Sequence, residues 1–402
     1  MTNKRSNISS GITRIFLMVL LAIVADQAVE SVLLENIAQI QINNKPITHA
    51  YLLLTMPFAL ILAAWSDFHC RRKTMIFALT SLSLSAICIY VYKVCNTSWV
   101  MYASLIFKGV GGNVTPVAFA SLATIVPARK FTLYLAIAIC AYSLGLWVPI
   151  YLHSFEHLPI VSSIVTIIST AAVIFWFRES EFDDFQFQNN LASLKGFFNF
   201  FVEEIFSIIK FGLAATVLLA LLGFLASEVS YYQILLRGEV LQNSSFYSEL
   251  SLKMGISYYL GTFVLYLLLR KKVSVIKCLV LGTGGALLSV IFSSILNSYG
   301  VKREWVFDIL FAFYSIGYAL LTPSLFSLLS RIRKKDEQGK IYGFLDTYDT
   351  LAAFIGIKYI GLTKYLPFNN VLWLSCIIIF VSTVLIVAFI RDIKDREGIN
   401  LS

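Results

Sequence analysis

Two carboxylates set the problem. In Ile15 to Gln39, IFLMVLLAIVADQAVESVLLENIAQ, Asp26 lies near the centre of an apolar run and Glu30 follows four residues later. Spacing by four puts both on one side of a helix. A charge at mid-bilayer costs about 2.5–3.5 kcal/mol on insertion scales, so it faces a bundle interior or a water-filled path. The pair therefore reads as a proton or cation site, against the competing reading of a buried structural ion pair. Lys108, about ten residues into another apolar run, sits at a similar depth and would lower the cost of burying an acid. Glu228 and Asp308 are the acids of two later runs, and Tyr231, Tyr232 and Gln233 beside Glu228 would suit an amphipathic ligand. Lys358 is placed to neutralise Glu228 or Asp308, or to meet substrate.

The elements that must hold these groups are membrane spans. Of 402 residues, 58% are hydrophobic and 14% charged, well below the roughly 25% charged residues of a soluble chain. Twelve stretches have the ~20 apolar residues a spanning helix needs: 13–38, 48–66, 74–93, 98–126, 131–152, 159–177, 211–236, 246–269, 273–296, 304–330, 341–363 and 368–390. The fold class is an all-α integral membrane protein, with bundles at 1–177 and 211–402 joined by a linker at 178–210. In that linker Leu194, Phe197, Phe198, Phe201, Ile205, Ile208 and Ile209 recur at helical spacing, predicting an amphipathic surface helix. The N-terminal apolar run has no small-residue cleavage site and reads as an uncleaved first span.

The net charge of +9 is a matter of topology. With both termini cytoplasmic, about 22 of the 32 Lys and Arg fall in cytoplasmic segments and about six in outer loops. No nucleic-acid surface is called for. Six cysteines show no metal-ligand spacing, and the glycine runs GVGGN and GTGG follow no strand. His69, His153 and His157 lie in or beside loops, with no arrangement for hydrolysis. No enzyme, cofactor or metal is expected.

The halves echo each other. LLAIVADQAVESVLL (20–34) aligns with LLGFLASEVSYYQIL (221–235), Arg71-Arg72-Lys73 with Arg270-Lys271-Lys272, and Thr115-Pro116 with Thr322-Pro323. Three landmarks in one order favour duplication, a known transporter plan.

With that plan the chain resembles the major facilitator superfamily of secondary transporters. The most specific local match is Ala63-Ala-Trp-Ser-Asp67-Phe-His-Cys-Arg71-Arg72-Lys73, similar to the family's Gly-x-x-x-Asp-Arg-x-Gly-Arg-Arg/Lys loop. Asp67, Arg71 and Arg72 fall on charged positions of that motif, while Ala63, Phe68 and Cys70 depart from it, which implies a less tightly turned loop. The fourth span, KGVGGNVTPVAFASLA, is similar to the family's glycine-rich helix, with Leu105 where many members carry Arg.

The resemblance implies two pseudo-symmetric six-helix bundles whose first, fourth, seventh and tenth helices line a cavity. It also implies that Asp67, Arg71 and Arg72 form a cytoplasmic gate. Gly109, Gly111, Gly112, Pro116 and Pro323 would let helices pack closely and bend. Asp346 and Asp349 fall at the start of the eleventh span, where the helix dipole favours acids, and read first as structural. The expected function is proton- or Na+-coupled import of a small polar metabolite, amino-acid-like, by a monomer in the cytoplasmic membrane. The alternative is proton-driven export of a siderophore-like product or drug. Gly145 and Pro149 are only a fragment of the fifth-span antiporter motif.

Overall fold

The computed structural model describes residues 2–39, 48–68, 70–112, 114–151, 158–177, 245–301, 303–331, 338–360 and 368–397. Among them every regular element is a helix: α1 (Thr2–Gln39), α2 (Thr48–Phe68), α3 (Arg71–Cys95), α4 (Ser98–Gly111), α5 (Val114–Ile125), α6 (Ala128–Tyr151), α7 (Leu158–Trp176), α8 (Ser245–Arg270), α9 (Val275–Ser298), α10 (Glu304–Ser330), α11 (Gln338–Ile360) and α12 (Phe368–Glu397). Six stretches among the described residues are long and apolar enough to cross a membrane: Gly11–Leu33, Arg71–Cys95, Ser98–Ile125, Leu158–Trp176, Val275–Ser298 and Trp305–Ser330. Their outer faces carry large exposed apolar side chains, such as Phe77, Ile164, Ile167, Leu288 and Phe313, as a lipid-facing surface would. The seventh expected span and the linker's amphipathic helix lie outside the described residues.

The chain forms two compact units, Met1–Phe187 with Arg333–Thr350, and Gln188–Ile332 with Leu351–Ser402. The first half of α11 thus packs with the N-terminal helices.

In the first unit, small polar residues draw helices together. Ser162 and Ser169 of α7 donate to the carbonyls of Ala28 and Leu21 in α1 at 3.2 and 3.1 Å. Ser85 of α3 and Ser104 of α4 each donate to the other's backbone carbonyl. Hydroxyls of this kind, together with small side chains, replace the hydrophobic drive that lipid removes. A Cβ at Gly111 would come within 2.7 Å of the Leu82 side chain and backbone nitrogen, so α4 lies directly on α3 only because that residue is glycine.

The fourth expected span runs over Ser98–Ile125 and divides into two helical elements. The sequence predicted one helix over 98–126, whereas α4 ends at Gly111 and α5 begins at Val114. The chemistry of KGVGGNVTP accounts for it: glycines weaken helix continuity. Pro116, third in α5, lacks an N–H that a helix's first turn leaves unpaired anyway. Pro116 therefore marks a helix start. Pro323, by contrast, lies inside α10.

The second unit packs α9 against α10 through Gly282 and Gly317, each of which would put an added Cβ 2.6 Å from the other's carbonyl oxygen. Around this contact Val290, Phe307, Phe311, Tyr314, Leu372 and Ile379 make a buried apolar core.

Candidate functional site: a charge cluster and a capped helix end

The first unit buries a lysine beside the first span's acids. Lys108, in the last turn of α4, is 1% exposed, and Asp26 is 4% exposed. The Lys108 Nζ lies 2.5 Å from Asp26 Oδ1 and 3.2 Å from Glu30 Oε2. Thr115 Oγ1, in the first turn of α5, donates to Asp26 Oδ2 at 3.1 Å. Gln27 Nε2 donates to Glu30 Oε2 at 3.3 Å. Asp26 is thus enclosed, while the Glu30 side chain keeps 28% of its surface exposed. Gly112 makes room for the pair, since a Cβ there would sit 3.3 Å from Lys108 Nζ and 3.6 Å from Asp26 Oδ1.

Asp346, partly buried, and Asp349, exposed, lie near this cluster on α11. They lie eight and eleven residues beyond the start of α11 at Gln338, past the first turn where the dipole acts. Asp346 lies within electrostatic reach of Asp26, Glu30, Lys108 and Asp349, and Asp349 within reach of Glu30. Among the described residues neither carboxylate forms an ion pair or hydrogen bond. The sequence reading set them aside because nothing in a single span shows which residues will face α1. Their three-residue spacing, which shares a helix face, was the available signal.

A second constellation closes the far end of α2. Asp67 Oδ1 accepts from Arg71 Nη2 at 2.8 Å and from the Gly339 backbone N–H at 2.8 Å, and Oδ2 accepts from the Lys340 N–H at 2.9 Å. Gly339 and Lys340 are in the first turn of α11, so one carboxylate supplies the cap that its free N–H groups need. Arg71 Nη1 donates to the Ala120 carbonyl at 2.9 Å and to Thr124 Oγ1, both on α5. Asp67 lies just beyond the second span's limit at residue 66. Burial holds its carboxyl above the usual range, opposed by Arg71 and the two amides.

The departures from the loop motif are absorbed here. Ala63 and Ala59 face Gly343, where an added Cβ would come within 2.8 Å of the Ala63 Cβ and 2.9 Å of the Ala59 carbonyl. Cys70 is the N-cap of α3, its Sγ accepting from the Lys73 N–H. Arg72 is not brought to this constellation. Its Nη2 donates instead to the Ile174 carbonyl near the end of α7 at 2.6 Å, a C-terminal capping role.

The chain belongs to the Major Facilitator Superfamily. The family's profile matches residues 7–357. Solved structures of this fold include the human organic anion transporter MFSD10 (TETRAN), with a TM-score of 0.71 at 15% identity, covering 93% of this chain and 99% of that one. A bacterial homologue of the iron transporter ferroportin in its outward-facing state has a TM-score of 0.70 at 15% identity, covering 94% and 98%. The proton:xylose symporter XylE has a TM-score of 0.70 at 13% identity, covering 95% and 96%. At such identities the likeness is one of fold. No curated protein matches the chain by sequence. The chain is accordingly a multi-pass membrane transporter of the secondary type, not an enzyme.

The remaining candidate residues divide by unit. Asp308 sits half-buried in the second turn of α10, in the second unit. Glu228, Tyr231, Tyr232, Gln233 and the Lys358 side chain lie outside the described residues.

Proposed function

We propose that the chain moves a small polar organic solute, amino-acid-like in charge, across the cytoplasmic membrane by alternating access, with import coupled to protons. The observation carrying this reading is the imbalance around Lys108. Among the described residues, Asp26 and Glu30 both pair with Lys108, Asp346 lies within reach of the same charge, and Asp349 lies near Glu30. The surplus of negative charge is relieved by a proton or by the positive group of a solute. Glu30 suits the exchanging role better than Asp26, being partly exposed and sharing its cation. Asp67, capping α11 from α2 and bound by Arg71 of α3, forms with it a gate that must open when the end of α11 leaves α2.

The test is uptake in vesicles under an imposed pH gradient, with candidate solutes first selected by thermal shift, since a ligand that binds the folded state raises its melting point. Uptake driven by an inward proton gradient is expected. Asp26→Asn and Glu30→Gln should abolish concentrative uptake with expression intact. If both leave its pH dependence unchanged, the proton role is wrong.

A further inference from the structure

We infer that α5 is a connecting rod between the charge cluster and the Asp67–Arg71 gate, with Asp26 as the positioning residue that pins its near end. Helix α5 starts at Val114, three residues beyond the end of α4 at Gly111. At its near end, Thr115 Oγ1 donates to Asp26 Oδ2, while Asp26 Oδ1 holds Lys108 at the end of α4. One carboxylate therefore holds the last turn of α4 and the first turn of α5. The placement suits the helix dipoles, with an anion beside the start of α5 and a cation in the last turn of α4.

At the far end, the Ala120 carbonyl and Thr124 hydroxyl are held by Arg71, which also binds Asp67. Thr115 and Thr124 are nine residues apart, about 14 Å along a helix at 1.5 Å per residue. Midway, Phe119 meets Tyr342 of α11 edge to face, with ring centroids 5.7 Å apart. Tyr342 lies one turn before Asp346. A twelve-residue helix gripped at both ends transmits displacement, because packed interiors shift between arrangements as bodies. A change in how Asp26 is held would then be felt at the gate, and loosening the gate would be felt at Asp26, coupling between sites being reciprocal. The inference stands whether or not protons are carried, since it concerns only how the two clusters are joined.

The experiment is hydrogen exchange read by mass spectrometry on the purified full-length chain in detergent, comparing wild type with Thr115→Val, Thr115→Ser and Arg71→Lys. Thr115→Val removes the near grip while keeping the side chain's shape. It should speed exchange at residues 112–118 about tenfold, the size of a hydrogen bond to a charged group. It should also speed exchange at 338–342, on the helix held by the far-end gate, by about threefold through the rod. Thr115→Ser keeps the hydroxyl and should restore both regions. Arg71→Lys should loosen 112–118 reciprocally. Protection over 158–176 should be unchanged in all. A Thr115→Val effect confined to 112–118, or spread evenly over α1 to α7, would overturn the inference. So would Thr115→Ser behaving like Thr115→Val.

Discussion

Gly339→Ala offers the sharpest test of the capped helix end. A Cβ at 339 would collide with the Ala63 carbonyl oxygen, and would sit 2.7 Å from Asp67 Oδ1 and 2.8 Å from Ser66 Oγ. Two of those partners are backbone or a buried, fully engaged carboxylate, so the first turn of α11 must move away from α2. Movement loses the two bonds from the Gly339 and Lys340 amides to Asp67. Hydrogen bonds to charged groups contribute about 1.5–3 kcal/mol each, and alanine returns about 1 kcal/mol of helix propensity. The lower end of that range leaves a net loss of about 2 kcal/mol, or roughly a thirtyfold fall in local protection. Hydrogen exchange at residues 338–342 measures it directly. Gly284→Ala is the control, because a Cβ there meets nothing within 4 Å; it should be neutral or slightly stabilising. Wild-type protection at 338–342 in Gly339→Ala would refute the cap.

Three further outcomes follow from the same geometry. Lys108→Met leaves Asp26 and Glu30 without their cation and should destabilise by about 3–5 kcal/mol, with Asp26→Asn added to it recovering part of the loss; additive melting-point shifts would count against the pair. Gly111→Ala forces α4 off α3, where its Cβ would meet Leu82 and the Ala78 carbonyl within 3 Å, and should cost about 1–3 kcal/mol in thermal unfolding. Asp67→Asn should slow transport of every substrate by the same factor, and a changed rank order among substrates would argue against a gate.

Hydropathy and charge placement made the membrane fold legible, because lipid punishes an unsatisfied backbone and leaves only long apolar helices as solutions. The Asp26–Lys108 contact was legible too. Two opposite charges at matching depth in neighbouring spans have few better ways to lower their cost. The division of the fourth span between α4 and α5 was written in GVGGNVTP, but a hydropathy window averages across it, and the continuous apolarity of 98–126 won. Arg72 shows the limit of a motif. Its neighbour Arg71 points into the bundle and Arg72 points along the outside, since consecutive helical residues diverge in direction, so equal charges at adjacent positions received different partners.

Asp346 and Asp349 mark where a one-dimensional reading ends. Along the sequence alone each acid falls near the expected start of the eleventh span at residue 341, although the helix itself begins at Gln338. Their meaning comes from α11 being drawn against α2, which depends on Gly339 and Gly343 meeting Ala59 and Ala63, some 280 residues away in sequence at roughly a backbone's width in space. Small residues carry that contact, and small residues are the least informative letters in an apolar span. Replacing Gly343 with alanine should therefore act on the charge cluster without touching a charge. Its Cβ would press on the Ala63 Cβ and the Ala59 carbonyl, tilting Asp346 away from Glu30. Uptake should lose part of its pH dependence while Asp67 keeps its cap. If the pH profile stays fixed and protection at 338–342 collapses instead, the position of Asp346 is set by the cap at Asp67 and not by helix contact at Gly343.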